Sequence, residues 1–102
     1  MKTALQRLSA WYAAQCNGDW EHGFGFKITT LDNPGVAVDI NLAGTSLAAV
    51  PLEEKKDNYE SETEWMICRR SEDRFEGRGG PSRLEDIVLE FLAWADRHEK
   101  KG

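Results

Sequence analysis

The chain has 102 residues, 40% of them hydrophobic, and a formal net charge of −5. That is enough for one domain around a single core, too apolar for a disordered chain, and unfavourable for a nucleic-acid binder, whose affinity comes from Lys and Arg. No apolar run approaches the roughly 20 residues of a membrane span, and the start Met1-Lys2-Thr3-Ala4 carries no secretory pattern, so no membrane contact is expected and the expected address is the cytoplasm.

The first helix is predicted from Thr3 to Gln15, with Thr3 as N-cap. Leu5, Leu8, Trp11 and Tyr12 recur at helical spacing and make one apolar stripe. Asn17-Gly18 tolerates positive φ and ends the helix. A glycine-flanked bend follows, Asp19-Trp20-Glu21-His22-Gly23. Phe24 to Leu31 then alternates as a strand with one face inward. Asp32-Asn33-Pro34-Gly35 reads as a type II turn, with Gly35 at the positive-φ position. Val36 to Leu42 is the returning strand, with Asp39 and Asn41 on its polar side.

After a turn at Ala43-Gly44, Thr45 to Leu52 reads as a weaker strand, its Leu47 and Val50 out of strict alternation. Residues Glu53 to Glu64 form the most polar stretch and read as a loop, a ragged strand, or both. Glu64 to Arg70 is a strand with apolar groups on both faces. Arg74 to Gly77 is a short return, and Gly77-Arg78-Gly79-Gly80 a flexible connection to the last helix. That helix opens on a capping box from Ser82 to Glu85. Its stripe is Leu84, Ile87, Val88, Phe91, Leu92 and Ala95, and the tail from Arg97 to Gly102 is cationic.

Two helices with one apolar stripe each must bury them against the sheet. The expected fold is α+β: an antiparallel meander of about four to five strands with the N-terminal and C-terminal helices on one face.

Few residues carry chemistry. Cys16 and Cys68 read as reduced, partly buried thiols, since there is no Cys-x-x-Cys. No metal site and no cofactor are expected, and nucleophile and phosphate-loop motifs are absent. Asp19, Trp20, Glu21 and His22 remain, with three readings open. Glu21 and His22 can act as an acid–base pair beside Trp20. The cluster can serve local structure, Asp19 holding backbone N–H groups and Trp20 packing on the core edge. Or it is a recognition surface, with Trp20 partly exposed as an anchor. Asp39 and the acids Glu60, Glu62 and Glu64 are secondary candidates for contact with a basic partner. A small ligand held between the sheet and the 53–64 loop is a further alternative.

The order Trp11-Tyr12, Cys16 to Gly23, Thr30 to Gly35, Asp39 to Leu42, Glu64 to Cys68, Phe75 to Pro81 and Phe91 to Trp94 resembles the immunity protein 53 family over nearly the whole chain. Val36 stands where the family pattern carries an aromatic residue. The resemblance implies a small bacterial cytoplasmic protein encoded beside a polymorphic toxin. Such a protein is not an enzyme: it binds the cognate toxin and blocks it by stoichiometric occlusion. A nuclease is the natural expectation for the toxin of an acidic inhibitor.

Overall fold

The computed structural model describes residues 2–99. The elements are α1 (Ala4–Gln15), a single turn α2 (Trp20–Gly23), β1 (Phe26–Leu31), β2 (Gly35–Asn41), β3 (Lys55–Asp57), β4 (Met66–Ser71), β5 (Arg74–Gly79) and α3 (Leu84–Glu99). All strand pairs are antiparallel, in the order β1-β2-β5-β4-β3. The fold is α+β as expected, but the strands do not follow chain order. β5 lies beside β2, which places the two hairpins side by side with β3 at the far edge.

Helix α1 begins on a full capping box. The Thr3 hydroxyl accepts from the Gln6 N–H, and the Gln6 side chain accepts from the Thr3 N–H. Its Leu8 and Trp11 are buried, as are Ile87, Val88, Phe91, Leu92 and Trp94 of α3. Both helices lie on the face of the sheet that carries Val36, Val38, Ile40, Phe75, Met66 and Cys68. The Phe91 ring stands edge-on to Trp11 at 5.0 Å and to Phe75 at 5.2 Å, so one aromatic group ties α1, α3 and the sheet together.

The glycine run from Gly77 is not a flexible connection. Gly77 and Gly79 are β5 residues under α3, and a Cβ on Gly77 would lie 2.2 Å from Ile87 Cγ2. The helix approaches that closely because no side chain intervenes. Gly35 likewise departs from the expected turn position: its φ is not positive, and it is the first residue of β2. Its missing side chain serves a close approach, since a Cβ there would lie 2.5 Å from the Gly79 carbonyl oxygen.

Residues 45–52 form no strand. Leu47 drops into the core and the chain turns around it, held by Arg70. That guanidinium donates to the carbonyls of Leu47 (2.7 Å), Val50 (2.9 Å), Ala48 and, through Nε, Glu72 (3.0 Å). The third element of the sheet comes instead from the polar stretch, as β3. Lys55 and Asp57 of that strand face α3, where Lys55 pairs with Glu90 at 3.1 Å and Asp57 with Arg83. The Ser82 hydroxyl donates to Glu64 rather than making the expected box with Glu85. Part of the expected cationic tail, residues 100–102, lies outside the described residues.

Candidate functional site

The bend after α1 is held by its own polar side chains. The Asn17 side-chain Oδ1 accepts from the N–H groups of Asp19 (3.0 Å) and Trp20 (2.9 Å). The Glu21 carboxylate reaches back to the N–H groups of Asn17 and Gly18, both at 2.9 Å, and Gly18 takes φ +95°. These hydrogen bonds satisfy donors that a helix start leaves open. They also hold the Glu21 carboxyl below the usual range, with the bond from its own backbone N–H the largest cause. Asn17, not Asp19, does the capping: Asp19 makes no side-chain cap bond.

Trp20 is 5% exposed and belongs to the core, a correction to the partly exposed anchor expected from sequence. Its ring meets Trp11 at 6.2 Å and Tyr12 at 5.8 Å, and its indole N–H donates to the Ala43 carbonyl at 2.8 Å. Asp19 and His22 are exposed. No hydrogen bond or ion pair joins Glu21 to His22 among the described residues. Phe24, 43% exposed, stacks outside Trp20 at 6.1 Å.

The other sequence candidates lie elsewhere. Gly25 is bonded to Asn41, at the end of β2, whereas the 58–64 loop shares a cleft with Asn33 and Pro34, beside its start. The two regions sit at opposite ends of that strand. Glu60 and Glu62 are exposed, and Glu64 accepts from Ser82 at 2.9 Å. Asp39 lies between the regions on the sheet face away from the helices, 3.1 Å from Arg78.

That outer face was not singled out in the sequence. The register places Lys27, Asp39, Glu76 and Arg69 in one row across it, with Arg74 and Arg78 flanking Glu76 along β5. Glu76 is 9% exposed and accepts from Arg69 Nε at 3.3 Å and from Arg74 at 3.0 Å. Burial pushes its carboxyl up, but those two hydrogen bonds and the Arg78 and Arg69 charges outweigh it and leave it below the ordinary range. At the β4 end of the face, Tyr59 is 48% exposed, stands edge-on to Trp65 at 6.0 Å and carries Lys56 over its ring at 4.9 Å. The signal for this surface was the period-2 spacing of Arg74, Glu76 and Arg78. It became legible only once β5 was seen to pair with both β2 and β4.

The cysteines differ. Cys16 is exposed, against expectation, because it follows the last turn of α1. Cys68 is buried under α3, and burial, reinforced by Glu90, pushes its thiol up to about 12. A cleft of about 610 Å³ opens between residues 51–56 and α3, with the Lys55–Glu90 ion pair in its wall. Among the described residues no helix is long and apolar enough to cross a membrane, and no three His, Cys, Asp or Glu converge as metal ligands.

A family model described as Immunity protein 53 matches residues 5–96. No curated protein and no solved structure matches the chain.

Proposed function

The chain belongs to the immunity protein 53 family, and from that premise we propose that it binds a cognate toxin and silences it by stoichiometric cover, with no bond made or broken. The family match over residues 5–96 is the observation that carries this reading. The toxin is a polymorphic toxin encoded beside this protein, and the two meet in the cytoplasm of the producing bacterium. The net charge of −5 suits long-range attraction to a basic toxin, of which a nuclease is the natural case.

The geometry supports cover over turnover. Glu21, one half of the acid–base pair of the enzymatic alternative, spends both carboxylate oxygens on backbone N–H groups and is not bonded to His22. Trp20 and Glu21 then act on the toxin indirectly, by holding the turn that presents Asp19 and His22. Glu60, Glu62 and Glu64 beside the sheet supply carboxylates to Lys and Arg of the toxin, and Asp39 contributes by holding Arg78. Co-expression tests the proposal. The C-terminal domain of the neighbouring toxin should arrest growth alone and be tolerated when this protein is present. Arrest that persists with both expressed would overturn it.

A further inference from the structure

We propose that the toxin docks on the uncovered face of the sheet, and that the docking segment of the toxin is acidic. The inference rests on the toxin-binding reading above and identifies the chemistry of the contact.

Both helices pack on one face, so the other is left to solvent. Strands about 4.8 Å apart, rising about 3.3 Å per residue, make a plate roughly 20 Å on a side. That is about half of the roughly 800 Å² that each partner contributes to a standard interface, before flanking groups are added. Those flanks are present. Phe24 walls a cleft of about 380 Å³ with Lys27, Asp39, Asn41 and Arg74 at one end. Tyr59 and Trp65 line a second cleft at the other. Exposed aromatic rings beside arginines are the composition of interface hot spots.

Charge selects the occupant. Within the strands this face carries Lys27, Lys56, Arg69, Arg74 and Arg78 against Asp39 and Glu76 alone. An excess of cations therefore stands on one side of a molecule whose net charge is −5. An acidic segment is repelled by the overall field and has this face on which to land. Glu76 anchors Arg69 and Arg74, whose side chains remain 52% and 49% exposed. The arginine ends of these pairs lie half in water while the Glu76 end is buried, so the guanidiniums can turn to an incoming carboxylate while keeping one bond to Glu76. Two carboxylates cannot fill the five N–H donors of each of three arginines. A paired arginine is pre-set for bidentate recognition.

The test is affinity for the purified C-terminal domain of the neighbouring toxin. R69Q/R74Q strands Glu76, so the triple variant R69Q/R74Q/E76Q, which removes the network whole, and Tyr59→Ala accompany it. With melting temperatures near wild type, the triple variant and Tyr59→Ala should each weaken binding at least tenfold. Glu85→Gln, exposed on α3 on the other side of the sheet, should stay within threefold of wild type. Wild-type affinity in both face variants, or a larger loss in the α3 variant, would overturn the inference and leave the toxin-binding reading intact. No complex with the wild-type protein would end both. Tight binding of a 20-base-pair DNA duplex, lost in the triple variant, would also overturn it and make the face a nucleic-acid site.

Discussion

The indole N–H of Trp20 donates to the carbonyl of Ala43 across 2.8 Å, joining the bend after α1 to the turn after β2. The ring beneath that bond is almost wholly buried. Trp20→Ala should therefore cost about 3–5 kcal/mol of stability, the range for truncating a large core aromatic. Trp20→Phe keeps most of the ring volume but strands the carbonyl, at about 1–3 kcal/mol. Urea unfolding measures both. An unchanged midpoint in Trp20→Ala would contradict the buried role and return the residue to the interface.

Gly77 and Ile87 form the closest approach of α3 to the sheet. Gly77→Ala places a methyl inside the Ile87 side chain and should destabilise by about 1–3 kcal/mol through overpacking. Ile87→Ala removes the clashing atom. In a double-mutant cycle the two changes should be strongly non-additive, G77A costing less on the Ile87→Ala background.

Arg70 gathers four backbone carbonyls around residues 47–50 and 72. Arg70→Ala leaves them without that donor and should cost about 2–3 kcal/mol. Hydrogen exchange should show the loss of protection concentrated in residues 43–52. Arg70→Lys, with one compact ammonium in place of the fork, should recover only part of it.

Glu76 is held below the ordinary carboxylate range in the folded protein. A group whose pKa is depressed on folding contributes stability that is complete above its unfolded value. That stability is lost as the pH falls through the folded one. Wild-type melting temperature should thus be flat near neutrality with respect to this group and drop below about pH 4.3. In Glu76→Gln the drop should be shallower. An identical acid limb in the two proteins would contradict the assignment.

The two thiols should separate cleanly. Cys16 is exposed, and the Cys68 thiol is pushed up to about 12, so it stays protonated and shielded at neutral pH. An aromatic disulfide reagent should modify one thiol in the native protein and both in denaturant. Cys16→Ser should abolish the native reaction.

Much of the architecture was legible from periodicity. The Thr3 cap, the stripe of α3 and the alternation of β1 and β2 each follow from local rules that tertiary packing left in place. Two of the errors share one cause, which is that long-range contacts decide what a segment does. Leu47 and Val50 looked like a weak strand until the Arg70 donors, 23 and 20 positions away, turned the backbone around them. Gly77 and Gly79 looked like a hinge until α3 was seen to lie on them. The Asp19–His22 cluster drew the eye because its residue types are those of chemistry, yet Asn17 and Glu21 satisfy the backbone and Trp20 packs inward. The charged network on the outer sheet face escaped notice for the converse reason. Its arginines come from β4 and β5 and its carboxylates from β2 and β5, and they share a surface only through the register of the three strands.

Titration of the purified toxin domain, with its activity read after each addition of this protein, decides whether neutralisation is by cover. Toxin activity should fall in a straight line to zero at one equivalent, stay constant with time at every partial dose, and return on denaturing and separating the pair. Activity that keeps falling with time at a tenth of an equivalent would mean turnover, and would contradict a protein that works only by occupying its target.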